Sequence, residues 1–153
     1  MKRFNFGLQK VLQLRKYREE ESKVELGRAI SVLSEIENQI KDIAVNRHEA
    51  ARQLFSQVAE TGTVVDDGTS GALSMIAWDH YIIRLDQEAE HLAKEAAKAE
   101  LVVEEKRALY LEASRELKVM EKLKEKREKE YRKEMFAVQT AEMDDLWQGK
   151  QLS

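Results

Sequence analysis

Hydrophobic residues recur at alternating steps of four and three positions through two long stretches of this chain, with polar residues between them. The stronger row is Trp78, Ile82, Leu85, Ala89, Leu92, Ala96, Ala99, Val103, Lys106, Tyr110, Ala113, Leu117 and Met120. The weaker row is Leu26, Ile30, Leu33, Ile40, Ala44, Ala51, Leu54 and Val58, beside a second row of Ala29, Ile36, Ile43 and Ala50. A repeat of about 3.5 residues predicts two long helices that pack along a narrow, left-handed seam.

Residues 60–72 separate the two stretches and hold three of the six glycines. Such a segment breaks a helix and forms a turn. We therefore expect an all-α fold in which two long helices form an antiparallel coiled-coil hairpin, a single domain over 1–153. The expected elements are a helix over about 5–58, a turn over about 60–72, a helix over about 73–146 and a short C-terminal tail. Folding about residue 66 places residue 8 opposite about residue 124, and the end of the second helix overhangs.

Composition agrees with a thin helical rod, because 36% of the residues are charged, only 7% are aromatic and none is proline. The chain has no cysteine, which suits a reducing cytosol. The basic N-terminus has spaced apolar residues and does not resemble a signal peptide, and no apolar run approaches the length of a membrane span. We expect a cytoplasmic protein. Near the turn, we expect a thicker apolar cluster made of Ile76, Trp78, Tyr81, Ile82 and Ile83.

Charge is distributed unevenly along the chain, although the net charge is only -3. Residues 2–18 contain six basic and no acidic side chains, and residues 118–133 contain eight basic and four acidic ones. Ion pairs such as Glu125 with Lys129 and Glu128 with Arg132 would make the second segment an ordinary solvated helix. In the hairpin, however, both segments meet at one end, and their mutual repulsion favours an acidic partner. Nucleic acid is the weaker option, because the chain is acidic overall and the basic surplus lacks interleaved aromatic residues.

Catalysis and metal binding are not expected. The three histidines, His48, His80 and His91, have no second histidine three or four residues away, and no cysteine completes a site. The chain shows no phosphate loop and no nucleophile motif, and a two-helix rod has no deep pocket. We predict a non-enzymatic protein without a cofactor.

The N-terminus carries an apolar pattern of Phe4, Phe6, Leu8, Val11 and Leu12. The pattern fades in the following turns, which predicts an isolated, exposed contact patch at the end of the rod. The alternative is a helix start that packs on the facing helix near Leu123.

Three stretches of the sequence together resemble the FliJ family, the coiled-coil stalk of the flagellar type III protein export apparatus. They are FNFGLQKVLQLRKYREE from Phe4, WDHYIIRLDQEAEHL from Trp78 and LKVMEKLKEKREKEYRKE from Leu117. Each stretch alone is unspecific, but their order and spacing extend the resemblance over essentially the whole chain.

The resemblance implies a shaft like the central subunit of rotary ATPases. Its terminal helices would enter the ring of the flagellar export ATPase hexamer and promote the assembly and activity of that ring. The implied ring-contact residues are Phe4, Phe6, Leu8, Val11, Leu12, Lys124, Arg127 and Tyr131. The other part would contact the cytoplasmic domain of the export gate protein through Gln39, Ile43, Tyr81 and Leu85, whereas Asn46, Ala50, Glu88 and Leu92 depart from the family pattern.

The resemblance also implies an escort role for export chaperones and a place at the inner membrane face that depends on partners. Three alternatives stay open at this point: a generic coiled-coil adaptor, the stalk of a virulence-type secretion system, and a nucleic-acid-binding rod. Oligomeric state is also open, since the second apolar row of the first helix would allow an antiparallel homodimer.

Overall fold

The computed structural model describes residues 2–61 and 69–152, with side chains described for 2–59 and 71–152. Two helices, α1 (Gln9–Thr61) and α2 (Thr69–Gln151), form an all-α helical hairpin, as predicted. Helix α2 starts before the predicted boundary and continues past residue 146, and residues 62–68 of the predicted turn lie outside the described residues.

Helix α1 begins a few residues later than the sequence pattern indicates. Its first turn is set by two backbone hydrogen bonds, from the Gln9 N–H to the Phe6 carbonyl at 3.1 Å and from the Leu12 N–H to the Leu8 carbonyl at 2.9 Å. Gly7 lies inside the turn that the first of these bonds closes, and glycine lowers the propensity for helix. The residues before it therefore run outside the helix while remaining close to α2.

Contacts divide the hairpin into two compact units. The terminal unit comprises the chain up to Val24 and from Ala108 onward, and the central unit comprises Glu25–Arg107. In the terminal unit, Arg15 of α1 forms an ion pair with Glu116 of α2. In the central unit, the Lys106 Nζ lies 3.1 Å from the Glu25 Oε2. Both pairs are nearly symmetrical about residue 66, which confirms the predicted antiparallel register.

The α2 seam is confirmed, because every residue of the predicted row from Trp78 to Met120 is buried or half-buried. The main row predicted on α1 is partly wrong. Ile43 and Ala50 of the neighbouring row are buried, whereas Ile30, Ala44 and Val58 are exposed. The two rows lie about one residue apart around the helix, and the packing against α2 selects between them.

The central core is small, as expected for a helix pair that shields one stripe of each helix. Ile43, Ala50 and Leu85 are buried together, and further apolar side chains pack around them: Trp78, Tyr81, Ile82, Ala89 and Leu92. The predicted cluster near the turn is therefore confirmed for Trp78, Tyr81 and Ile82 but is wrong for Ile76 and Ile83, which are exposed.

Candidate functional site

Two ring contacts and a buried leucine near the end of the terminal unit make up what we call the terminal cluster: Phe4, Phe6, Leu12, Arg127 and Tyr131. The ring centroids of Phe4 and Tyr131 lie 5.5 Å apart, and the Tyr131 hydroxyl donates a hydrogen bond to the Lys2 carbonyl. The Arg127 guanidinium lies 5.7 Å from the centroid of the Phe6 ring, within the range of a cation–π contact. These contacts hold the segment before α1 against α2.

The prediction of an exposed apolar patch at the N-terminus is wrong for Phe6 and Leu12. The Phe6 side chain is only 5% exposed and the Leu12 side chain 1%, so both are core residues of the hairpin. The alternative, packing of the helix start on the facing helix, is confirmed for these two residues. Phe4 and Leu8 are half-buried, and Val11 is exposed.

Two exposed apolar residues near this end were not singled out from the sequence. Leu14 and Tyr17 are both exposed on α1, where they continue a slanting row from Val11. The spacing of three residues was visible in the sequence. The charged residues around Leu14 and Tyr17 conceal the row in the sequence, because they resemble the end of the apolar pattern.

The basic run of α2 contains both of the ion pairs expected from its spacing. The Lys129 Nζ lies 3.0 Å from a Glu125 carboxylate oxygen, and an Arg132 nitrogen lies 3.1 Å from a Glu128 carboxylate oxygen. Both pairs are largely exposed and contribute about 0.3–0.5 kcal/mol each. Lys124 is half-buried beside the seam.

The central unit contains a shallow groove with a volume of about 470 Å³, which we call the central groove. Its lining residues are Asn46, Glu49, Ala50, Ser74, Ala77, Trp78 and Tyr81. The Trp78 and Tyr81 rings meet edge to face, with centroids 5.9 Å apart at an interplanar angle of 72°. The Arg84 guanidinium lies 5.9 Å from the centroid of the Tyr81 ring. The small side chain of Ala50 leaves space beside the two rings, and the groove can therefore accept an apolar side chain from outside.

The four residues implied as gate contacts have different positions in the structure. Gln39 is exposed and Tyr81 is half-buried at the wall of the central groove, so both offer surface to a partner. Ile43 and Leu85 are buried in the central core. Their side chains support the groove from within. Sequence reasoning placed Trp78 in the seam and did not identify it as a wall of the groove.

An ion pair across the helices lies close to this groove. The Arg47 Nε lies 2.5 Å from the Asp86 Oδ1, and a second Arg47 nitrogen lies 3.5 Å from the Asp86 Oδ2. The hydrogen bond to Asp86, together with its negative charge, raises the pKa of Arg47 above its ordinary value. The pair is half-exposed and joins α1 to α2 next to the groove, with a small contribution to stability.

The described part of the chain contains no cluster of metal-ligand side chains. Among these residues, no group of three or more His, Cys, Asp or Glu side chains is arranged to hold a metal ion. His48, His80 and His91 are all exposed. Neither helix, over its described residues, has an apolar stretch that would cross a lipid bilayer.

Comparison with known proteins gives one match. The family model described as Flagellar FliJ protein matches residues 4–149 and so includes the terminal cluster and the central groove. No curated protein and no solved structure matches the chain significantly.

Proposed function

The chain belongs to the FliJ family of non-enzymatic flagellar export components, and from that premise we propose that it is the stalk of the flagellar type III export apparatus. In this proposal the terminal helices enter the ring of the export ATPase hexamer and promote its assembly and activity. The central unit contacts the cytoplasmic domain of the export gate protein. The stalk is held at the inner membrane face by these partners.

The family match over residues 4–149 is the observation that carries this proposal, because it extends over both helices of the hairpin. It favours a flagellar stalk over a generic coiled-coil adaptor and over the stalk of a virulence-type system. Escort of export chaperones belongs to the same proposal. Co-purification from cells followed by mass spectrometry would test it by naming the bound proteins.

Contacts within the terminal unit support the proposal that the terminal helices enter the ATPase ring. The terminal cluster ties the residues before α1 to α2 through the Phe4–Tyr131 ring contact and the Arg127–Phe6 contact. A partner would therefore meet the N-terminal segment and the adjoining part of α2 as one body. The proposed ring-contact residues are Phe4, Phe6, Leu8, Val11, Leu12, Lys124, Arg127 and Tyr131, of which Phe6 and Leu12 act through packing because they are buried.

The test of ring entry is the ATP hydrolysis rate of the purified export ATPase with and without the full-length chain. We expect wild type to raise the rate, and Lys124→Glu combined with Arg127→Glu to abolish the increase, since reversed charge opposes an acidic socket. Substitution of Phe6 or Leu12 is unsuitable here, because a change in either core residue also alters folding. Circular dichroism verifies that the charge variant stays helical.

The matched control is Lys94→Glu combined with Lys98→Glu, which reverses two exposed charges in the central unit. This control variant should stimulate the ATPase as wild type does. Absence of stimulation by wild type would refute ring activation, and equal loss in both variants would refute the assignment to the terminal unit.

The gate contact is proposed at the central groove and its border, with Gln39 and Tyr81 at the surface and Ile43 and Leu85 beneath. We expect Tyr81→Ala to weaken binding to the purified cytoplasmic gate domain in calorimetry, because the partner loses one wall of the groove. Asn46→Lys is a second variant, since Asn46 is exposed at the groove edge and a lysine there obstructs the groove without removing core packing.

The control for the gate contact is Leu101→Ala, an exposed apolar residue of the central unit that does not line the groove. Its affinity for the gate domain should equal that of wild type. Full affinity in both Tyr81→Ala and Asn46→Lys would exclude the groove as the gate contact.

A further inference from the structure

Among the described residues, no side chain beyond Met135 on α2 is buried against the rest of the hairpin. Every described side chain from Phe136 to Leu152 is exposed, although the segment stays helical to Gln151. We call residues 136–151 the tail. Phe136, Met143 and Trp147 lie on one face of it, at spacings of seven and four, and are 72%, 60% and 65% exposed. Amphipathic helices commonly bind other proteins by placing an apolar face of this kind against an apolar surface.

The tail also has a distinct charge. Glu142 and Asp144 flank its apolar face on either side, and neither forms an ion pair within the described part of the chain. A partner should therefore combine an apolar row with unpaired cations. Two tails facing each other would bring these carboxylates together, which disfavours pairing of tail with tail.

A surface with the required chemistry lies on α1 of the same terminal unit. Val11, Leu14 and Tyr17 form an exposed apolar row that points away from the seam. Lys10 and Arg18 border this row, and neither forms an ion pair among the described residues. We call this surface the α1 row. It matches the tail in both apolar pattern and charge.

A chain cannot bring its own tail to its own α1 row without breaking α2. The N-terminal residues lie opposite Tyr131, and the tail continues straight away from them beyond that point. If a second copy is related to the first by a two-fold axis near Tyr131, the tail of one copy can reach the α1 row of the other while α2 stays intact. Its α1 then runs parallel to the tail of the first copy, with Met143 between Val11 and Leu14 and Trp147 between Leu14 and Tyr17.

We propose that the tail docks on the α1 row of a second copy of this chain and forms a two-fold symmetric dimer. In a two-fold dimer the contact between a tail and an α1 row occurs twice, so both copies of this contact stabilise the same dimer. Glu142 and Asp144, on either side of the docked face, then lie near Lys10 and Arg18 of the other copy. The dimer covers Val11, and on the proposed function it therefore competes with entry into the ATPase ring.

The first test measures the molecular mass of the full-length chain by sedimentation equilibrium from low to several hundred micromolar. We expect a monomer–dimer equilibrium, and Met143→Ala combined with Trp147→Ala should weaken it by at least about tenfold, since two apolar anchors are lost. These side chains have no packing role in the hairpin, so folding is preserved. Leu101→Ala combined with Val102→Ala, an exposed apolar pair elsewhere on α2, is the control and should dimerise as wild type does.

Charge reversal tests the pairing itself. Glu142→Lys combined with Asp144→Lys should weaken the dimer, as should Lys10→Glu combined with Arg18→Glu. A chain carrying all four changes should recover the affinity of wild type, because the attraction is restored with opposite sign. A monomer at every concentration, or no recovery in the fourfold variant, overturns the proposal.

Engineered cysteines give the orientation, since the natural chain has none. A mixture of Leu14→Cys and Trp147→Cys chains should form a disulfide-linked pair under mild oxidation, whereas Trp147→Cys alone should stay largely unlinked. Linkage of Trp147→Cys alone at the same rate would show tail-to-tail contact and overturn the proposal. This experiment does not involve the export ATPase. A negative result would therefore refute the dimer without refuting the stalk function.

Discussion

Leu12 is the largest side chain that is fully enclosed in the described part of the hairpin. A helix pair buries only the residues that face the seam, so each enclosed side chain contributes a large share of the stability. The sequence marked Leu12 as a contact residue, whereas its burial gives it a structural role. The same is true of Phe6, whose ring lies under the Arg127 guanidinium.

Leu12→Ala should lower the free energy of unfolding by about 2–5 kcal/mol, because it removes buried methyl groups and leaves a cavity. Urea unfolding followed by circular dichroism measures the change. Leu109→Ala is the control, since Leu109 is a leucine of the terminal unit with an exposed side chain. The interpretation would be wrong if the two variants lost the same amount.

Gly27→Ala should stabilise the hairpin by about 0.5–1 kcal/mol, because alanine restricts the unfolded chain and favours helix. Gly27 lies within α1, and a Cβ built there meets no atom within 4 Å. Thermal unfolding gives the measurement. Gly149→Ala is an equally uncrowded change close to the end of α2, and it should have almost no effect, since helix ends fray.

At the scale of the helices, polar residues within the seam fix how α1 pairs with α2. Lys106 occupies a seam position and reaches Glu25, and Arg15 reaches Glu116 in the other unit. Because these side chains lie partly in solvent, each pair contributes little to stability. These pairs instead favour one register of α1 against α2, because a shifted helix would leave the charges without partners.

Lys106→Glu should destabilise the hairpin, because it places two carboxylates opposite each other at Glu25. Adding Glu25→Lys should restore most of the loss, with a coupling of about 0.5–1 kcal/mol in a double-mutant cycle. High salt should reduce this coupling by screening. Lys98→Glu is a control at an exposed pair within one helix, and Glu25→Lys should bring it no recovery.

At the scale of the whole chain, the two units offer different chemistry to partners. The terminal unit combines a basic surface with the tail, and the central unit offers an aromatic groove. The surface of the hairpin therefore differs between its two units. This difference supports two separate binding partners for the two units, as in the proposed stalk.

Deletion of residues 136–153 should leave the free energy of unfolding of the monomer unchanged, because every described side chain from Phe136 onward is exposed. Urea unfolding at low protein concentration measures this, and wild type under the same conditions is the reference. A clear loss of stability would show that the tail packs on its own hairpin. The deletion should also abolish the proposed dimer at high concentration.

The sequence alone predicted the all-α hairpin, its register and the α2 seam. These features follow from periodicity, absence of proline and a glycine-rich break, which act locally and repeat many times. The charge pairs Glu125–Lys129 and Glu128–Arg132 were predicted for the same reason, since both members lie on one helix. Such features need no knowledge of the facing surface.

Only the tertiary structure decided which of two apolar rows on α1 faces α2, and whether Phe6 and Leu12 are surface or core. Both rows satisfy the helical repeat, and packing against Leu85 and its neighbours selects Ile43 and Ala50. Likewise, apolar residues at a chain end look alike in sequence whether they contact a partner or their own second helix. Burial is set by what lies opposite, and that depends on residues more than a hundred positions away, such as Arg127 and Tyr131.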